Sequence, residues 1–214
     1  MKILLVDDHG IIREGLANLL RQAGHEIVGE ADDGRSAVRL AASLQPDLIV
    51  MDIGMAGMNG IDATREIVTH RPTTRVVALS MHSDPTYVSR MLQAGARAYL
   101  LKESAFEELA DAIAECTRGG IYLSRKITGV VVGDYLDRLT GAPVAQPVSL
   151  TPKERQVLQL VAEGKSTKEI AKQLFISTKT VETHRQNIMN RIGIRSIAQL
   201  TKYAIRQGLT SLDS

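Results

Sequence analysis

Over its first 118 residues the chain alternates five short apolar runs with five amphipathic stretches, a rhythm that few folds accept. The runs at 2–6, 26–30, 47–51, 75–80 and 97–100 are short, apolar and mostly rich in Leu, Ile and Val, which predicts buried strands. The stretches at 10–22, 34–43, 60–70, 84–94 and 104–118 repeat apolar residues at helical spacing, as Leu16, Leu19 and Leu20 do. Ser104 and Glu107 have the spacing of a capping box at the start of the last of these. Alternation of this kind predicts an α/β domain: a doubly wound (βα)5 parallel sheet, covered on both faces and joined by right-handed crossovers.

A different pattern follows. "GGIYLS" (119–124) breaks the fifth helix, a short helix can run to about Leu139, and Gly141, Pro143 and Pro147 mark a linker. At "TPKE" (151–154), Thr151 is a natural N-cap, Pro152 suits the first helical position and Glu154 completes a box. Ser166 with Glu169, and Ser196 with Gln199, repeat that start signal, and a further helix begins near Thr178. Four short helices in some sixty residues make a small all-α module. The expected domains are therefore 1–120, a linker at 121–148, and 149–214.

Charge separates the same regions. Residues 1–125 hold 13 Lys+Arg against 17 Asp+Glu, a balance of −4, whereas residues 149–214 hold 11 against 5, a balance of +6. The basic half is suited to a polyanion. No run of about 18 apolar residues exists to span a membrane, and two aspartates interrupt the N-terminal apolar run where a secretory signal would continue. A single cysteine, Cys116, forms no internal disulfide and reads as a small hydrophobe on a helix face. A reduced, cytoplasmic setting is expected.

Ligands of open parallel sheets bind beyond the carboxyl ends of the strands. There the sequence places Asp7 and Asp8 after the first strand, Asp52 after the third, Ser80 at the fourth and Lys102 past the fifth. Carboxylates brought so close repel, so a cation must offset them or their pKa values must rise. An all-oxygen acidic site suits Mg²⁺ better than a soft metal. One strand-end acid would be an ordinary solvated side chain, but this combination on four strands is hard to reach by accident. His9, His25 and His70 lack metal-ligand spacing and read as surface or helix-start residues.

With "LLVDDH", "IVMDIGMAGMNG", "ALSMHSD" and "GARAYLLK", residues 1–120 resemble the flavodoxin-like receiver domain of two-component response regulators. The resemblance implies that Asp52 accepts a phosphoryl group from a sensor histidine kinase. It also implies that Asp8 and Asp52 bind Mg²⁺ directly, that Gly54 offers its carbonyl and that Asp7 acts largely through water. Ser80 and Lys102 would bind phosphoryl oxygens, and Tyr99 corresponds to an aromatic that changes rotamer on activation. Gly54 and His82 occupy positions that influence attack of water on the acyl phosphate. Family members commonly carry proline where this chain has Ala56, which implies a less pre-organised loop.

In "KSTKEIAKQLFISTKTVETHRQNIMNRIGI" (165–194), Ile170, Ala171 and Leu174 form the inner face of one helix and Phe175-Ile176-Ser177 a turn. In the next helix Val181, Ile188 and Ile192 share a narrow arc, so Lys179, Thr183, Gln186 and Asn190 project from the opposite face. Amides and hydroxyls in such a stripe suit base edges in a major groove. Residues 149–210 resemble the LuxR/NarL-type helix-turn-helix nearly throughout. By that resemblance Glu182, Thr183 and Gln186 face bases, while Thr167, Lys179, Thr180, His184 and Arg185 hold phosphates or the groove wall. His184, near the edge of the buried arc, reads equally as structural. The last helix, with Ile197, Leu200 and Ala204 on one stripe, either pairs two DNA-binding domains or is buried in its own.

The expected protein is a phosphorylation-controlled transcriptional regulator of the NarL/FixJ class, not an enzyme. Its phosphorylated form would be a homodimer on double-stranded DNA with an inverted repeat. Three other readings are weaker. An aspartyl-phosphate hydrolase would need a second acid two residues beyond Asp52, where Gly54 stands. A Rossmann module would need G-x-G-x-x-G after the first strand. The third keeps DNA binding and makes the receiver a phosphorylation-independent dimerisation platform.

Overall fold

The computed structural model describes residues 1–139 and 150–210, apart from the side chains of residues 134, 137 and 138. The chain divides into two compact units, Met1–Ala142 and Pro143–Ser214. In the first, ten elements alternate as the apolar rhythm predicts. They are β1 (Lys2–Val6), α1 (Gly10–Gln22), β2 (Glu26–Ala31), α2 (Gly34–Leu44), β3 (Leu48–Asp52), α3 (Gly60–His70), β4 (Arg75–Ser80), α4 (Pro85–Gln93), β5 (Ala98–Leu101) and α5 (Ala105–Thr117).

The sheet is parallel, in the order β2-β1-β3-β4-β5-β6. Its sixth strand, β6 (Tyr122–Leu123), lies where the sequence predicts only a break after the fifth helix. Two residues, paired with Ala98 and Tyr99, are too few to leave a periodic signal. Alternate strand residues feed two cores. Leu4, Ile49, Met51, Val76 and Tyr99 face one layer together with α2, α3 and α4 residues. Ile3, Leu5, Val50, Val77 and Leu100 face the other, where Leu16, Leu20, Leu109 and Cys116 meet them from α1 and α5.

Two predicted capping boxes fail. Ser104 ends a 3-10 turn (Lys102–Ser104) at φ −109°, ψ 2°, and its hydroxyl donates to the Leu101 carbonyl at 3.3 Å instead of capping α5. Ser196 occupies the N-cap position of its helix but makes no side-chain cap bond. The predicted short helix is the 15-residue α6 (Arg125–Leu139), anchored by the fully buried Ile127 in the Tyr99 layer. Gly141, Pro143 and Pro147 of the expected linker lie outside the described residues.

The second unit contains α7 (Pro152–Ala162), α8 (Thr167–Leu174), α9 (Thr178–Ile192) and α10 (Ile197–Arg206) around Val157, Leu160, Ile170, Leu174, Val181, Ile188 and Leu200. The boxes at Thr151–Glu154 and Ser166–Glu169 both form. Glu154 is buried and also accepts from Arg191 Nη1 at 2.9 Å, so one carboxylate ties the start of α7 to α9. Leu200 and Ala204 are buried in the unit's own core, leaving Ile197 exposed on α10. Among the described residues no helix is long and apolar enough to cross a membrane.

Candidate functional site

Strands β1 and β3 are neighbours, with Val6 beside Met51, so Asp7 and Asp52 emerge together at the carboxyl edge of the sheet. Asp7 and Asp52 are each 2% exposed and Ser80 is 1% exposed. Lys102 reaches between the two acids: its Nζ lies 2.8 Å from Asp52 Oδ2 and 2.9 Å from Asp7 Oδ2. Burial and the Asp7 carboxylate raise the Asp52 carboxyl from 3.8 to about 6, and Lys102 offsets them only in part. Burial alone would lower the Lys102 ammonium, but the Asp52 and Asp7 carboxylates outweigh it and hold it above its ordinary value.

Asp8 is more open, and His9, which the sequence places only at a helix start, joins it. His9 is the N-cap residue of α1, and its Nδ1 lies 2.7 Å from Asp8 Oδ1 and 3.3 Å from Asp7 Oδ1. Ligand atoms of Asp7, Asp8, His9 and Asp52 all fall within 4.8 Å of one another. Asp7 Oδ2 is buried and accepts no well-aligned hydrogen bond, although the ammonium is near. Three carboxylates with an acceptor left over fit a hard divalent cation.

The loop after β3 is held by its own packing. Met55, Met58 and Asn59 are buried, and Met58 N donates to the Ala56 carbonyl at 2.9 Å around Gly57 at φ 77°. Asn59 caps α3 by accepting from Asp62 N at 2.9 Å. Gly54 N donates to Asp52 Oδ1 at 3.1 Å, orienting the carboxylate, and a Cβ at Gly54 would stand 4.0 Å from that oxygen. Gly60 passes so close beneath Asp52 that a Cβ there would overlap the Asp52 carbonyl oxygen. Nothing in the spacing of the sequence marks that contact.

A chain of hydrogen bonds leaves the site. His82 N donates to Ser80 Oγ at 3.0 Å, Tyr99 Oη donates to the His82 carbonyl at 2.7 Å, and the His82 ring stacks on Tyr87 at 4.7 Å. Tyr99 is fully buried.

In the second unit, Lys179, Glu182, Thr183 and Gln186 of α9 are exposed, and Thr167, Thr180, His184 and Arg185 are partly so. Val181 and Ile188 are buried on the opposite face. Gln186 Nε2 donates to Asn190 Oδ1 at 3.0 Å, and Thr183 Oγ1 donates to the Lys179 carbonyl at 3.0 Å. The Thr180 hydroxyl is 2.8 Å from the Ser177 cap. His184 adjoins Glu154 closely enough to help lower the carboxyl of that residue. The turn between α8 and α9 carries Phe175 at φ 55°, 91% exposed.

Residues 3–114 match the family model described as "Response regulator receiver domain", and residues 148–204 match "Bacterial regulatory proteins, luxR family". The chain is 41% identical to the transcriptional regulatory protein LiaR of Bacillus subtilis over 99% of this chain and all of that one. It is 35% identical to the oxygen regulatory protein NreC of Staphylococcus carnosus, covering 98% and 99% of the two chains. Among solved structures it resembles the response regulator RcsB of Salmonella typhimurium, with TM-score 0.65 and 26% identity over 97% of this chain and 98% of that one. An RcsB–DNA complex aligns with TM-score 0.60 and 26% identity, again over 97% and 98%. Matches that run through both units at once settle the kinship: the chain belongs to the NarL/FixJ class of two-component response regulators, a receiver domain followed by a LuxR-type DNA-binding domain.

Proposed function

We propose that Asp52 is the phosphoacceptor of a Mg²⁺-dependent switch, operated in the cytoplasm by a sensor histidine kinase, that drives a homodimer onto DNA. The observation that carries this reading is the Lys102 ammonium held between two buried carboxylates at the open edge of the sheet. Asp8, Asp52 and the Gly54 carbonyl would hold the metal directly, with Asp7 behind them; bound there, Mg²⁺ would neutralise charge on the phosphoryl oxygens. An Asp52 carboxylate oxygen bonds to phosphorus as the bond from phosphorus to the kinase histidine breaks. Lys102 and the Ser80 hydroxyl then bind the phosphoryl oxygens. When Ser80 turns inward, His82 N loses its acceptor, and the loop that Tyr99 grips through the His82 carbonyl is released. Phosphorylation thus biases two existing arrangements.

Residues 1–120 would receive the signal, 121–148 would transmit it, and 149–214 would bind double-stranded DNA. Solved RcsB complexes with DNA support that part of the reading. Glu182, Thr183 and Gln186 of α9 would reach bases, with Gln186 leaving Asn190 to do so. Thr167, Lys179, Thr180, His184 and Arg185 would engage the backbone. Two copies would meet an inverted repeat with half-sites about one helical turn apart.

The central test is incubation with Mg²⁺ and a small acyl-phosphate donor, read by intact mass and by binding to double-stranded DNA selected for affinity to this protein. Wild type should gain one phosphoryl group and bind about tenfold more tightly, a typical coupling. Asp52→Asn should gain neither; a phosphorylated Asp52→Asn protein would sink the assignment. For the second unit, Lys179→Ala should weaken binding to specific and random DNA alike and reduce the salt slope by about 1. Gln186→Ala should relax base preference at a cost of about 1–3 kcal/mol. Equal losses on both DNAs for both variants would refute this docking.

A further inference from the structure

The imidazole of His9 is committed to the acid cluster rather than to its own helix. His9 is the N-cap residue of α1, yet its side chain makes no cap hydrogen bond there. Its Nδ1 meets the carboxylates instead, 2.7 Å from Asp8 Oδ1 and 3.3 Å from Asp7 Oδ1. The backbone fixes that placement: His9 N donates to Asp7 Oδ1 at 2.8 Å, and Arg13 Nη1 donates to the Asp7 carbonyl at 2.6 Å. Two ligand atoms at right angles on metal bonds of about 2.0–2.2 Å stand about 2.8–3.1 Å apart. The two Nδ1 distances bracket that spacing. An acceptor is also left over, since Asp7 is buried and its Oδ2 accepts no well-aligned hydrogen bond.

We propose that His9 Nδ1 is a metal ligand, and that it gives the site a higher affinity for first-row transition ions, from Mn²⁺ to Ni²⁺, than for Mg²⁺. The argument is one of ligand class. Mg²⁺ takes oxygen and gives up water reluctantly, so an imidazole adds little to its binding. Imidazole nitrogen suits the transition ions, whose affinity for a given site rises from Mn²⁺ to Ni²⁺. The three carboxylates serve either class of ion, and the nitrogen is what separates the two. Ligation uses the Nδ1 lone pair of the neutral ring, with the ring proton on Nε2.

The ring also stands where an ion would arrive. The His9 side chain is 61% exposed and that of Asp8 32%, whereas Asp7 and Asp52 are buried. An incoming ion meets the imidazole and Asp8 before it meets the buried acids. The buried Lys102 ammonium lies 3.5 Å from the same Nδ1, so the ring nitrogen already faces a cation on its inner side. Ligand atoms of Asp7, Asp8, His9 and Asp52 within 4.8 Å of one another are close to the separation of about 4.2 Å across an octahedral ion. Small side-chain rotations close the set.

This inference rests on the proposed metal site and adds a ligand to it. The test uses the full-length protein with Mn²⁺ below one equivalent, read by electron spin-echo modulation. Wild type should show the hyperfine signal of a directly bonded nitrogen, and His9→Gln should lack it. By calorimetry, His9→Gln should weaken Ni²⁺ binding at least about tenfold, the low end of what even outer-shell changes cost a metal site. Its Mg²⁺ affinity should fall no more than about twofold. A nitrogen signal that is absent from wild type, or that persists in His9→Gln, makes Nδ1 only a hydrogen-bond partner of Asp8 and overturns the proposal. Equal losses of Ni²⁺ and Mg²⁺ affinity overturn it as well, because His9 would then act through the shape of the cluster. Intact mass with Mg²⁺ and acyl phosphate tests the phosphoacceptor separately. A protein that shows the nitrogen signal but gains no phosphoryl group refutes the switch and keeps the ligand.

Discussion

Replacing Lys102 by alanine is expected to destabilise the first unit by about 3 kcal/mol at pH 7 without divalent cation, because it leaves two buried acids with no counter-charge. Asp7 and Asp52 each lie within 3 Å of the ammonium, and each is 2% exposed. The sign with pH follows from the raised Asp52 carboxyl. Its value of about 6 lies above the ordinary 3.8. The stability this group contributes is therefore present below about pH 4 and lost as pH rises through about 6. Without Lys102 that window moves upward, so the variant should regain stability on acidification where wild type changes less. Asp52→Asn in the Lys102→Ala background should recover most of the loss, and Mg²⁺ should recover part of it by mass action. Hydrogen exchange of the β1 and β3 amides reads the unit separately from the DNA-binding half. A loss under 1 kcal/mol, or one that is flat between pH 5 and 8, would show that the acids are solvated and need no cation.

Gly60→Ala should cost the first unit about 3 kcal/mol or more, the range of an overpacked backbone contact that cannot relax. The new methyl would overlap the Asp52 carbonyl and press on Ile53, whose carbonyl accepts from Gly60 N at 3.1 Å. Either α3 shifts or the end of β3 does, and in both cases the Asp52 carboxylate, the proposed acceptor, moves. The phosphorylation rate should therefore fall by at least about tenfold even in the folded fraction, since small misplacements are costly in transfer reactions. A neighbouring control, Gly54→Ala, places its methyl at ordinary contact distance from Asp52 Oδ1 and should leave stability unchanged. Equal stability losses for Gly54→Ala and Gly60→Ala would refute the close-approach argument.

Much of this molecule is legible without coordinates, for reasons that are local. Short apolar runs that give way to a period of 3.6 identify strands and helices, because the strands of a parallel sheet are buried on both faces and each helix on one. Strand-end acids converge because parallel topology puts all carboxyl ends on one edge. The α9 stripe follows from Val181 and Ile188 turning inward. Caps are less legible: Thr151 and Ser166 make their boxes, whereas Ser104 and Ser196 do not. At Ser104 the preceding 3-10 turn takes the hydroxyl, and a four-residue motif contains no trace of that turn.

Tertiary structure decided the rest, because the deciding contacts join residues far apart in the chain. Only folding sets Lys102 between Asp7 and Asp52, residues 95 and 50 positions away. Only folding brings Asp52 beside Asp7, Asp8 and His9, or runs Gly60 beneath the Asp52 carbonyl. The loop behind Asp52 shows the division well. Its alanine at position 56, where the family commonly has proline, suggests a slack loop. Folding adds that Met55, Met58 and Asn59 of the same loop are buried. Local pattern alone reveals an acid at the end of an apolar strand and a basic helical module after it. How strongly that acid is buried, what neutralises it, and which side of α6 is left open depend on the sum of long-range packing, which no local pattern encodes.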